Sequence, residues 1–135
     1  MAQISILGLD NVLFAVGDLA RARAFYEDRL GLKVKFAAPD HGIVGYALGS
    51  EEPGLVIRQE DLPDSGPRTT PKVWLEVADA KAAAETLAAV GVLSLHDPFE
   101  IPTGWTVEVS DPWGNVVGLT DYVKAPAMAR GPVAS

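Results

Sequence analysis

Within Lys72-Val-Trp-Leu-Glu76 an ammonium, an indole and a carboxylate recur at every second residue. In an extended strand that spacing sets all three side chains on one face. Such a face can bind: the indole offers a flat plane for stacking, and the charges beside it fix a ligand's orientation. It can also move protons, with Glu76 or Glu108 removing one and Lys72 or Arg58 stabilising the oxyanion that develops. Two other strand candidates carry groups of the same kinds. Thr106 and Glu108 alternate with Val107 and Val109, and Val56 and Arg58 alternate with Leu55 and Ile57. A plainer reading stays open, in which Lys72 and Glu76 form exposed ion pairs with Glu108 and Arg58, each worth about 0 to 1 kcal/mol.

Composition narrows the chemistry. The 135 residues include no cysteine, which removes disulfides, thiolate nucleophiles and every Cys-based metal site. The two histidines stand apart, His41 in a Pro-Asp-His-Gly turn and His96 before Asp97-Pro98, and the acids scatter over helices and loops. A net charge of -7 repels phosphate backbones and anionic membranes, so neither is an expected partner. No apolar run approaches a membrane span, and the first residues lack a basic-then-apolar leader, so a cytoplasmic protein is expected.

The elements that hold these residues come from an internal repeat. Asn11 to Asp18 overlays Lys72 to Asp79 at a constant offset of 61 residues, pairing Val12 with Val73, Val16 with Val77 and Asp18 with Asp79. Each half opens with a period-two strand, then an aspartate that can cap a helix N-terminus, then helical spacing that stops at Gly31 or Gly91. Three further strands are predicted in each half, near 32–37, 43–48 and 54–59, and near 92–96, 104–110 and 115–121. Turns such as Ser50-Glu-Glu-Pro-Gly54 and Asp111-Pro-Trp-Gly-Asn115 separate them. The chain therefore divides into a βαβββ module over 1–58, a polar linker over 59–70, a second module over 71–122, and an Ala/Gly/Pro-rich tail over 123–135 expected to be mobile. The two modules form one structural domain.

Asn11-Val-Leu-Phe-Ala-Val-Gly-Asp-Leu-Ala-Arg-Ala-Arg-Ala-Phe-Tyr26, closed by Leu30-Gly31, resembles the opening module of the vicinal oxygen chelate superfamily. That group includes glyoxalase I, extradiol dioxygenases, fosfomycin-resistance enzymes and bleomycin-resistance proteins. Asp111-Pro-Trp-Gly-Asn115 is similar to its second signature, a D-P-x-G-N turn before the last strand. The resemblance implies an α+β fold of two tandem βαβββ modules, a curved mixed sheet around a ligand groove. It also implies metal-ligand positions at the head of the first strand and on the fourth strand of each module. Here those are Asn11 and Arg58, then Lys72 and Gly118. A neutral amide, two cations and a glycine make a poor divalent-metal set, so no metal and no other cofactor is expected.

Parity packs Val12, Phe14 and Val16, and Val73, Leu75 and Val77, beneath the helices, and leaves Asn11, Leu13, Lys72, Trp74 and Glu76 on the opposite faces. From pattern alone those faces could be plain surface; the resemblance implies that they line the groove. The expected ligand-binding set is then Trp74, Asn11, Leu13, Val56, Arg58, Lys72, Glu76, Thr106 and Glu108. Two functions fit it. One is a metal-free binding protein of bleomycin-resistance character that sequesters an aromatic or apolar antibiotic or metabolite. The other is a cofactor-free lyase, isomerase or cyclase with Glu76 or Glu108 as base. Trp113 is expected at a rim or dimer contact, and Trp105 in the core or at the groove mouth. The open sheet edges predict a homodimer. The facing of Phe36 and Tyr46 and the identity of the ligand stay open.

Overall fold

The computed structural model of the chain describes residues 5, 7, 10–69 and 71–130. The first module runs β1 (Asn11–Val16), α1 (Leu19–Arg23), β2 (Lys33–Ala38), β3 (Ile43–Leu48) and β4 (Glu51–Gln59). The second runs β5 (Lys72–Glu76), α2 (Ala80–Ala89), β6 (Phe99–Ile101), β7 (Gly104–Ser110) and β8 (Val116–Thr120). The strands form two four-stranded mixed sheets of matching order, β1-β4-β3-β2 and β5-β8-β7-β6. This is the expected α+β fold of two tandem βαβββ modules. In each sheet the first strand lies parallel to the fourth, because the helix carries the chain back across before the remaining strands fold antiparallel.

Local chemistry sets the elements as expected at both helix starts. The Asp18 carboxylate accepts the Arg21 N–H at 3.1 Å, and that of Asp79 accepts the Ala82 N–H at 3.0 Å. The helices end at Gly31 and Gly91, both at positive φ. The first helix widens into a π-helical turn over Ala24–Arg29, where the Leu30 N–H reaches the Phe25 carbonyl. The extra residue in that turn buries Phe25 and Tyr26 side by side, their rings 4.9 Å apart and edge to face.

The apolar faces of both modules share one core. Phe14, Val16, Leu55 and Ile57 of the first module and Val107, Val109, Val117 and Leu119 of the second belong to a single buried cluster. The turn Asp111–Asn115 ties the modules together. Asp111 Oδ1 accepts the N–H groups of Trp113 and Asn115, both at 2.9 Å, and Oδ2 accepts the Tyr26 hydroxyl at 2.9 Å and the Asn115 amide at 2.8 Å. That amide also donates to the Ala15 carbonyl on β1 at 2.8 Å. Gly114 takes φ 87°, and a Cβ there would stand 2.3 Å from the Gly66 carbonyl oxygen, so the turn admits only glycine at this point.

Three expectations change. The strand predicted at 92–96 is absent; the second strand of this module is β6, at Phe99–Ile101. Val92 closes the helix by donating to the Leu87 carbonyl, and Pro98 interrupts the stretch before pairing with β7 begins. The turn predicted at Ser50–Gly54 is tighter, since β4 already starts at Glu51 and a register shift opposite Tyr46 and Leu48 absorbs the irregularity. Trp113 is no rim residue. It is 1% exposed, sits over Gly17 and takes the Arg21 guanidinium 5.2 Å above its ring.

The linker lies along the second module, where Ser65 and Arg68 donate to the carbonyls of Pro112 and Gly114. Beyond β8, Lys124 donates to the Thr103 carbonyl, Pro126–Met128 form a short 3-10 turn, and Arg130 meets Glu76. Residues 131–135 of the expected tail lie outside the described residues. No described helix is long and apolar enough to cross a membrane.

Candidate functional site

The face of the second sheet away from α2 carries the strongest convergence of chemistry-bearing side chains. Strand β5 places Lys72 and Trp74 two apart, β8 supplies Gly118 beside Trp74, and β7 brings Glu108 beside Gly118. Because Gly118 has no side chain, the indole lies down across it; a Cβ there would be 2.4 Å from Trp74 Cδ1. The ring then reaches over β8, and its Nε1–H donates to Glu108 Oε2 at 2.8 Å. Lys72 Nζ donates to the same oxygen at 3.0 Å and to Oε1 at 3.3 Å.

A fourth member, His96, lies off the strands and is not marked by their parity. His96 Nε2 stands 3.2 Å from Glu108 Oε1, while its Nδ1 stands 3.1 Å from the Asp97 carbonyl oxygen. Both ring nitrogens face acceptors, an arrangement that suits the doubly protonated imidazolium. Its pKa is raised accordingly, first by the Asp97 carbonyl and then by Glu108. The Phe99 ring completes the group, 6.0 Å from Trp74 and 5.2 Å from His96, centroid to centroid. Burial pushes the Glu108 carboxyl up, but hydrogen bonds from Trp74, Lys72 and His96 outweigh it and the net shift is downward. Glu108 is thus a buried, fully engaged carboxylate beneath an indole that remains 44% exposed.

The other expected site residues divide. Thr106 is buried and its hydroxyl pairs with that of Thr120 at 2.8 Å, a structural bond within the sheet. Glu76 follows Trp74 on β5, but its carboxylate is held by the Arg130 guanidinium at 2.6 Å and backbone N–H at 2.9 Å. Asn11, Leu13, Val56 and Arg58 lie on the first sheet. There Asn11 Oδ1 accepts the Gly54 N–H and Arg58 pairs with Glu60. Leu13 is 49% exposed on that sheet's open face, where Phe36 lies across Gly45 much as Trp74 lies across Gly118. Tyr46 turns to the buried side and donates to Glu27. Trp105 lies under Lys81, whose ammonium is 3.5 Å from the ring centroid. Of the ion pairs considered for these faces, Lys72–Glu108 forms, whereas Arg58 and Glu76 choose Glu60 and Arg130.

A cavity of about 420 Å³ lies elsewhere, where the end of the first helix meets α2, walled by Leu30, Leu32, Leu75, Leu87 and Leu119 with Arg29 at its edge. It shares no residue with the Trp74 cluster. Its polar groups are few, and Asp79 and Thr86 among them are bonded to the backbone of α2, so the denser convergence of polar side chains favours Trp74 as the candidate site.

The profile of the Glyoxalase/Bleomycin resistance protein/Dioxygenase superfamily matches residues 8–119, most of the chain. The chain belongs to this superfamily. Solved structures of similar shape include a superfamily member from Sphaerobacter thermophilus DSM 20745 (25% identity, 86% of this chain and 98% of that one, TM-score 0.68). A glyoxalase-related enzyme from Fulvimarina pelagi is 20% identical over 96% of each chain, with a TM-score of 0.69. The fosfomycin resistance protein FosX from Listeria monocytogenes is 16% identical over 87% of this chain and 94% of that one, with a TM-score of 0.69. At 16–20% identity the last two likenesses concern the fold alone. No curated protein matches the sequence.

Enzymes of this superfamily commonly hold a divalent metal, and the residues at the corresponding positions here do not fit one. Asn11 is spent on Gly54, Arg58 and Lys72 are cations in ion pairs, and the space over Gly118 is filled by the Trp74 ring. Among the described residues no group of three His, Cys, Asp or Glu could hold an ion. Elemental analysis of tag-free protein is therefore expected to find well under one transition metal per chain, with ligand binding unchanged by a chelator. One tightly held ion per chain would contradict this.

Proposed function

We propose that this superfamily member is a metal-free binding protein of the bleomycin-resistance kind, which sequesters an aromatic or apolar antibiotic or metabolite on its Trp74 face. The observation that carries the reading is the state of Trp74. Its ring is exposed, yet Gly118 beneath it and Glu108 at its N–H hold it in one orientation. A side chain fixed before the ligand arrives loses little freedom on binding, which favours affinity. We place the protein in the cytoplasm, with a small-molecule ligand and with neither nucleic acid nor membrane as partner.

The alternative, a cofactor-free lyase, isomerase or cyclase, needs a carboxylate free to take a proton. Glu108 is engaged by three side-chain donors with its pKa lowered, and Glu76 is engaged by Arg130 with its pKa lowered by those hydrogen bonds. Both are weak bases at neutral pH. Glu108→Gln separates the two readings. A binder still takes up a neutral aromatic probe, read by calorimetry, because the amide oxygen of the substituted side chain can accept the indole N–H, whereas an enzyme loses turnover. Consumption of a ligand by the wild-type protein that the variant abolishes would defeat the binding reading.

Each sheet ends in edge strands, β1 and β2 in one and β5 and β6 in the other, and the open face of the first presents Leu13 and Phe36 to solvent. We infer that a second copy covers such surfaces. Sedimentation at micromolar concentration is expected to show a homodimer; a single 14.3 kDa species would refute it.

A further inference from the structure

Resting on the binding site just proposed, we infer that its ligand is an aromatic anion, with its ring on Trp74 and its negative group at Lys72 Nζ. The protein as a whole is acidic, at -7, so the local charge order at this face runs against the rest of the chain. Three ionic groups meet there: Glu108 from β7, Lys72 from β5 and His96 from the segment before β6. With His96 protonated their sum is one positive charge. Their exposure separates them further. The Glu108 side chain is 7% exposed, whereas those of Lys72 and His96 are 31% and 45% exposed. A ligand arriving over the indole therefore meets the two cations, while the carboxylate that balances one of them lies beneath.

The hydrogen-bonding capacity has the same asymmetry. Both Glu108 oxygens are occupied by protein donors, so the acid has little left to offer a cationic ligand. Lys72 has three N–H groups and spends its contacts on the two oxygens of one carboxylate, which leaves donor capacity toward the open side. His96 has both nitrogens engaged and supplies charge rather than a bond. The nearby Glu76 is neutralised by Arg130. Such a site stacks the ring, accepts the anion by a charge-assisted hydrogen bond at Lys72, and strengthens it by the field of His96.

The pH dependence follows. The charged groups around His96 are Glu108 and Lys72, and the net effect of its surroundings is to raise its pKa above the usual imidazole value. The imidazolium, and with it the extra attraction for an anion, is fully present below the ordinary histidine range. It is lost as pH rises through the raised pKa.

The test uses three naphthalene probes of one shape, naphthalene-2-carboxylate, 2-naphthamide and naphthalen-2-ylmethylammonium, titrated calorimetrically at pH 6.0 and 8.0 into the full chain. The carboxylate is expected to bind about tenfold tighter than the amide, the scale of one charge-assisted hydrogen bond, and to weaken at pH 8.0. Lys72→Met should remove that preference and Lys72→Arg should keep it, while His96→Gln should flatten the pH dependence. Equal or tighter binding of the amide or the ammonium would overturn the charge assignment and leave Trp74 as the binding face. A carboxylate preference that survives Lys72→Met would overturn it too. If no probe binds, or if Trp74→Ala leaves all three affinities unchanged, the binding face itself is wrong and this inference falls with it.

Discussion

Replacing Asp111 with alanine is expected to destabilise the protein by about 3 to 5 kcal/mol, measured as a fall in the urea midpoint at unchanged slope. Asp111 is 3% exposed and its two oxygens accept four hydrogen bonds, from Trp113, Asn115 and Tyr26. Alanine would leave the buried Tyr26 hydroxyl and two backbone N–H groups without an acceptor, and each such group costs about 1 to 3 kcal/mol. Truncation would also release Asn115, which carries the link to Ala15 across the modules. A loss below about 1 kcal/mol, the ordinary scale of a surface substitution, would mean that the turn does not hold the modules together.

Trp74→Ala is expected to do the reverse, costing affinity rather than stability. Removing an aromatic platform weakens stacking by about 1 to 3 kcal/mol. The fold should lose only about 1 kcal/mol, because the residue is 44% exposed and Glu108 keeps Lys72 and His96 as donors. Calorimetric titration and urea unfolding of the same preparation separate the effects. A variant that stays folded but loses about 3 kcal/mol or more of stability while binding as before would show that the ring serves the core.

Why the fold was legible is seen at Asp18 and Asp79, Gly31 and Gly91, and Val12 and Val73. Each pair is a local rule obeyed twice at one spacing, and caps, stops and strand parity act through neighbouring residues. The stretch 92–96 broke the pattern because its apolar Val92 and Leu95 serve a helix end and an irregular run. The decisive contacts there, to Leu87 and Glu108, lie outside any local period. In the site, parity was enough to put Lys72, Trp74 and Glu108 on one face, since those strands are regular. It could not reveal that His96, twelve residues before Glu108, folds onto the same carboxylate. Nor could it show that Gly118 leaves room for the indole, which is a matter of tertiary clearance. Trp113 misled for a similar reason: turn residues are usually exposed, but this turn is a contact between modules and its tryptophan fills the junction.

The central claim, that a ligand is held on the Trp74 face, is tested most directly by following the three indole N–H resonances in a nitrogen-15 correlation spectrum during titration with naphthalene-2-carboxylate. Trp74→Phe assigns the first signal. The Trp74 resonance is expected to move saturably, because its N–H is bonded to Glu108 and its ring carries the probe. The resonance of buried Trp113, and that of Trp105 beneath Lys81, should stay in place. A titration in which Trp74 stays still while another indole moves would contradict it.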